Sequence, residues 1–373
     1  MSPLMQVPRI HFDFGAIAVL GEEIACQKMK RPLLVTDRTL IDVGAIERVS
    51  AVLGASSGPA VFTEVPPNPT ADAVGLGASL YRDGRHDGLI AVGGGSVIDC
   101  AKAIALLATH PGPISTYLGH ADRIVTAPAP LIAVPTTAGT GSEVSRGCGI
   151  HPDGRSRAHG TNHPLMVPSV AVCDPEPTLS LPERLTAATG LDALSHCIEG
   201  FLANAANPLV DAIALDGVRR IFTHLRRAVE DGRNREARWH VMMAAVAGGV
   251  SIYKGLGPAH AIANTCGDRG LHHGTLVTVA LPPVLRLMAV KVPQKMSALA
   301  DAIGVAGGTA VPESVATLNA AVGMPDTIGA LGYGSHDLDE MAHDAATSFF
   351  NRSTPYRPTT DDYRRLLSEL MRA

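Results

Sequence analysis

A chain of 373 residues is long enough for two domains, or for one large and one small. Its 46% hydrophobic and 18% charged content is ordinary for a globular enzyme. A net charge of −4, a single Trp and 4% aromatic residues argue against a nucleic-acid surface, a base-stacking platform or an anionic-membrane patch.

The first residues, Met1-Ser-Pro-Leu-Met-Gln-Val7, lack the basic and long apolar regions of a signal peptide, and apolar runs such as 89–92 and 131–134 are too short to span a bilayer. A cytoplasmic protein with no membrane partner is therefore expected. Six scattered cysteines without a Cys-x-x-Cys motif read as buried thiols in a reducing compartment.

In chain order, the first half alternates short apolar runs with Ala/Leu-rich stretches, which predicts an α/β domain: a parallel sheet with flanking helices. Strands are expected at 32–37, 87–92, 131–137 and 167–174. The run at 87–92 enters Gly93-Gly94-Gly95-Ser96 and then a helical stretch carrying Asp99 and Lys102. Glycines there allow a phosphate close to the backbone, and the following helix N-terminus offers free N–H groups. A tight turn without a ligand is the plainer alternative. Asp37, at the end of an earlier strand, suits ribose hydroxyls and repels a 2′-phosphate, or else simply caps a helix. Thr136, Thr137 and Thr140 sit in a second Gly/Thr loop that either binds a phosphate or ribose or merely turns the chain. Lys102 reads as structural.

Three prolines in 173–182 mark a boundary, after which strand patterning stops. Domains are expected at 1–180 and 181–373, the second an all-α domain with helices near 185–203, 208–230 and 236–251. Asp192 and His196, four apart, share one helix face and can share one divalent cation. His260, His272 and His273 follow in a Gly/His-rich segment. One carboxylate with three imidazoles would leave a position open, as a catalytic metal needs. The alternative is a solvated Asp–His pair beside unrelated loop histidines.

Four motifs occur in this order: Gly93-Gly-Gly-Ser-x-x-Asp-x-x-Lys102, Pro135-Thr-Thr-Ala-Gly-Thr-Gly-Ser-Glu143, Asp174-Pro-x-x-Thr-Leu-Ser-Leu-Pro182 and Ala188-Thr-Gly-x-Asp-Ala-Leu-x-His-x-Ile-Glu199. Together they resemble the iron-containing (group III) alcohol dehydrogenase family over residues 10–285. The resemblance implies a dinucleotide-binding domain, a helical metal-binding domain, an active site in the cleft between them and a homodimer. It implies that Asp192, His196, His260 and His273 ligate a divalent metal, Fe2+ or Zn2+. Gly93, Gly94, Gly95, Ser96 and Asp99 would serve the pyrophosphate side of NAD, and Asn68, Thr136, Thr137 and Thr140 would line the rest. Asp37 would favour NAD over NADP. The implied reaction moves a hydride between a small alcohol or aldehyde and nicotinamide, the metal acting as a Lewis acid on the substrate oxygen.

Three departures stand out. Where the family commonly places a second histidine, this chain has Asn264, which exchanges no proton near pH 7, so water or His272 would have to relay it. The interval from His260 is slightly short, and the His-Gly context selects His273 over His272 as ligand. A lysine that often contacts the cofactor is replaced by Ala158, beside Arg157. Residues 154–163, with Arg146, are rich in basic groups and imidazoles; they read as a solvated hairpin, or as a site for an anionic substrate tail. Glu199 and Cys197 read as packing or capping groups near the metal helix. Rival readings are a lyase like dehydroquinate synthase and a non-catalytic nucleotide binder.

Overall fold

The apolar runs around Leu33, Ile90, Ile132 and Val172 are neighbouring strands of one sheet in the computed structural model, which describes residues 5–44, 46–53, 60–153 and 156–372. The chain divides into two units: Met1–Thr137 with Gly141–Leu179, and Ala138–Thr140 with Ser180–Ala373.

The first unit runs β1 (Arg9–Phe12), α1 (Leu20–Cys26), β2 (Pro32–Val35), α2 (Arg38–Asp42), α3 (Glu47–Leu53), β3 (Val61–Phe62), α4 (Ala71–Asp83), β4 (Gly88–Gly93), α5 (Gly95–Thr109), β5 (Leu131–Pro135), β6 (Gly147–Ile150), β7 (His159–Asn162) and β8 (Val170–Cys173). Six strands form a parallel sheet in the order β1-β8-β5-β4-β2-β3. β4, β5 and β8 are buried at every position, because both faces are covered, which is why they read as unbroken apolar runs. Alternate residues feed two cores. Leu33, Val35, Leu89, Ala91, Leu131 and Ala133 pack with α4 and α5, while Leu34, Ile90, Val92, Ile132 and Val134 pack with Leu20 of α1 and Val49 of α3.

The chain leaves β2 for β3 on one side and returns through α4 to β4 on the other side of β2. That reversal opens a crevice beyond the carboxyl ends of β2 and β4, the place where open α/β sheets bind ligands. β6 and β7 form a separate antiparallel hairpin, with Cys148 opposite Thr161. The basic segment of 154–163 therefore belongs partly to a hairpin, and its Gly154 and Arg155 lie outside the described residues.

The second unit contains α6 (Glu183–Leu202), α7 (Pro208–Glu230), α8 (Arg235–Ser251), α9 (Pro258–Thr265), α10 (His273–Lys291), α11 (Pro293–Ile303), α12 (Val311–Ala321), α13 (Leu338–Thr347) and α14 (Thr360–Leu370), with no strand among its described residues. α6 is its axis: every residue from Thr186 to Leu202 is buried, with α7, α8 and α10 packed around it. Its C-terminal carbonyls, Phe201, Leu202 and Ala203, accept from Lys295 Nζ at 3.0, 3.0 and 2.8 Å, which satisfies groups the helix itself leaves open. α10 approaches α6 at Gly274, where a Cβ would lie 2.6 Å from the Ala188 carbonyl oxygen.

Two expectations need correction. Contrary to the short runs noted in the sequence, α10 is long and apolar enough, by length and composition, to cross a membrane; 72% of its apolar window is buried inside the protein, as in a core helix. Five cysteines are buried as expected, but Cys26 is exposed at the end of α1.

Candidate functional site

In the first unit the glycine loop sits at the sheet reversal. Gly93 ends β4 and Gly94 caps α5, so the first-turn N–H groups of Gly95, Ser96 and Val97 have no intrahelical partner. A Cβ on Gly93 would stand 2.5 Å from Val97 Cβ, and one on Gly94 would stand 3.3 Å from Thr137. Only glycine lets the strand turn into the helix this tightly. The Thr136 N–H donates to the Gly93 carbonyl at 3.0 Å, tying the second motif loop to the first.

Other expected cofactor residues have additional tasks. Ser96 Oγ donates to the Pro67 carbonyl, so its hydroxyl braces the loop carrying half-buried Asn68 and leaves the backbone N–H for an anion. Asp37, beyond β2, accepts from the Leu40 N–H at 2.9 Å through Oδ1, so it does cap α2. Thr140 belongs to the short stretch counted with the helical unit. Asp99 is tied into the fold: its Oδ1 accepts from Ser142 Oγ and its Oδ2 from the Gly149 N–H at 2.8 Å.

Lys102, one turn on, is fully buried and donates to the carbonyls of Ser145 at 2.9 Å and Gly147 at 2.7 Å. Burial pushes the Lys102 pKa down, and Asp99 pushes it back. The pair locks the 142–149 segment onto α5. That is a structural role, as the sequence indicated.

In the helical unit, Asp192 on α6, His260 on α9 and His273 at the start of α10 bring one ligand atom each within 4.8 Å of one another. Asp192 and His260 are buried, whereas His273 keeps an exposed edge. The structure thus groups His273, not His272, with the other two; His272 precedes the first turn of α10. His196 stands beside the trio and not within it. Its Nε2 lies 3.7 Å from Asp192 Oδ1, and its ring stacks on His260 at 4.9 Å and 21°.

The donor set fits a cation. Asp192 Oδ1 and His260 Nε2 are buried without a hydrogen-bond partner. One such atom costs about 1–3 kcal/mol, so two in one cluster mark a place built for something else to occupy. Burial lowers the pKa of His196, and desolvation of the His273 ring lowers that of His273, in both cases against the pull of Asp192. Both are therefore neutral near pH 7, the form that binds a metal. The Asp192 carboxyl is raised by burial but lowered more by His196, His273 and His260, and ends below the usual range.

Two further features surround His260. Glu199, one turn below His196 on buried α6, lies 2.6 Å from His260 Nδ1 and accepts from the Gly257 N–H at 2.9 Å and from the Ala259 N–H at 2.7 Å. Phe350 stands 5.7 Å from the His260 ring, and exposed Phe349 lies 4.1 Å from Phe350. Together they form an apolar wall beside the ligand cluster. Asn264 is half-buried one turn after His260 on α9.

Known proteins resemble this chain over its whole length. Residues 8–175 match the family described as iron-containing alcohol dehydrogenase, and residues 186–371 match the Fe-containing alcohol dehydrogenase family, C-terminal. The chain is 42% identical to 4-hydroxybutyrate dehydrogenase of Cupriavidus necator, over 100% of both proteins. It is 35% identical to 1,3-propanediol dehydrogenase of Citrobacter freundii, over 90% of each. Among solved structures, sulfoacetaldehyde reductase of Bifidobacterium kashiwanohense in complex with NAD+ superposes with a TM-score of 0.89 at 27% identity, covering 100% of this chain and 99% of that one. Nothing among these relatives supports the lyase alternative. The chain belongs to the iron-containing alcohol dehydrogenase family, oxidoreductases that act on CH–OH groups with a nicotinamide cofactor.

Proposed function

We propose that this protein is an NAD- and Fe2+-dependent dehydrogenase that interconverts a short ω-hydroxy carboxylate and its aldehyde. The observation that carries the metal-dependent part is the pair of buried, partnerless donor atoms on Asp192 and His260 beside His273. Asp192, His196, His260 and His273 would hold the ion, which supplies Lewis-acid polarisation of the substrate oxygen. Iron follows from the family; zinc binds the same donor set and competes for it.

The chain's own residues do the rest. The first-turn N–H groups of α5 hold the pyrophosphate of NAD, and Asp37 selects against a 2′-phosphate. Phe349 and Phe350 exclude water from the side of His260. Asn264 can hold a hydroxyl or water by hydrogen bonds, but it transfers no proton. His272, directly before the first turn of α10, is the remaining imidazole that would accept the released proton. The anionic substrate class is supported by two relatives whose named substrates carry a carboxylate or a sulfonate. It is supported also by the basic residues Arg146, directly before β6, and Arg157, in the connection between β6 and β7.

The test is NADH formation with ω-hydroxy acids of three to five carbons against neutral alcohols of equal length. Acids favoured tenfold or more in kcat/KM support the reading; equal turnover of the neutral alcohols removes the anionic tail from it.

A further inference from the structure

Glu199 is buried, and its carboxylate is enclosed by three groups that face it. Two are backbone N–H groups, of Gly257 and Ala259, at the N-terminus of α9. The third is His260 Nδ1, at 2.6 Å. A backbone N–H can only donate, and one donates to each carboxylate oxygen, so both oxygens act as acceptors. A ring nitrogen 2.6 Å from an accepting oxygen must carry the proton itself. The neutral His260 ring then has its lone pair on Nε2, the buried atom with no hydrogen-bond partner.

We infer that Glu199 is a positioning residue that fixes His260 in the Nδ1–H tautomer and presents Nε2 to the ligand cluster before any ion arrives. The inference rests on the metal-centre reading above. One carboxylate thereby does two things. It caps α9, which sets where His260 stands along its helix, and it chooses which ring nitrogen donates to the ion. Buried carboxylates behind metal-bound histidines act in this way in general. Gly257 is part of the device: a Cβ there would lie 2.8 Å from Glu199 Oε1 and displace the carboxylate. The sequence placed Glu199 beside the metal helix, but the partners that define its task lie 58 to 61 residues further on.

The experiment uses the full chain, with Zn2+ affinity read by chelator competition and histidine tautomers read by 15N NMR of the metal-free protein. The inference expects a protonated Nδ1 at His260 in the metal-free wild type. It expects Glu199→Gln, which cannot accept all three donors, to weaken Zn2+ binding 10- to 100-fold while far-UV circular dichroism stays unchanged. Gly257→Ala should weaken binding in the same direction. A capping role alone would lower the melting temperature and leave the affinity of the folded protein within twofold, which overturns the inference. A wild-type His260 protonated on Nε2 overturns it too, even if neither variant folds. A wild-type chain that binds no Zn2+ overturns the metal-centre reading itself; tight wild-type binding matched by Glu199→Gln removes only the role of Glu199.

Discussion

Asp192 and His260, 68 positions apart on two helices, bring ligand atoms within 4.8 Å of each other, and Asp192 Oδ1 and His260 Nε2 are both buried without a hydrogen-bond partner. A fold tolerates two such atoms side by side only where a third party satisfies them. The helical unit is therefore organised around a cation position.

The approach of α10 to α6 sets His273 against Asp192, and Gly274 permits it. A Cβ at 274 would stand 2.6 Å from the Ala188 carbonyl oxygen and 3.2 Å from Asp192 Cβ. Gly274→Ala is expected to cost about 1–3 kcal/mol by overpacking and to lower metal content at fixed metal concentration. Urea unfolding and metal analysis check this; an unchanged midpoint with full metal occupancy would show that the helices adjust freely.

Asp37 combines a cap with a charge, and the two can be separated. Asn caps as well as Asp does, but it does not repel a 2′-phosphate. Asp37→Asn should raise the NADP-to-NAD ratio of kcat/KM about tenfold, roughly 1.4 kcal/mol, with the melting temperature unchanged. If steady-state kinetics return the wild-type ratio, Asp37 acts only as the cap of α2.

Burial raises the pKa of Glu143 to about 7, with its own backbone N–H and Lys102 opposing. Between the ordinary value of 4.5 and about 7, the folded chain holds more protons at this site than the unfolded chain. Stability from this group therefore falls as pH rises through that window and levels off above it. The loss is on the order of 3 kcal/mol, at about 1.36 kcal/mol per pKa unit. The difference between wild type and Glu143→Gln in urea unfolding should grow from pH 4.5 to pH 7; a constant difference would place the Glu143 titration elsewhere.

Local chemistry made much of this readable. Gly93 to Ser96 gave a strand-to-helix turn, the runs around Ile90 and Ile132 gave buried strands, and the 190s gave a helix with Asp192 and His196 on one face. β1 and β3 were not legible, because four and two residues at the sheet's edges carry little pattern. The apolar length of α10 was hidden by Pro282, Pro283 and Arg286 within it. The contacts of Asp99 were not legible because Ser142 and Gly149, which donate to its oxygens, lie 43 and 50 residues away. Phe350 gave no signal at all, since it acquires meaning only where its chain segment meets His260.

The most direct measurement is metal content together with NADH formation, on protein stripped by chelator and reconstituted separately with Fe2+ and Zn2+, beside Asp192→Ala treated alike. The account predicts one tightly bound ion per chain, activity that disappears with the ion and returns with Fe2+, and neither ion nor activity in the variant. Stripped protein that still forms NADH at the original rate, or an Asp192→Ala variant that keeps its ion, would contradict it.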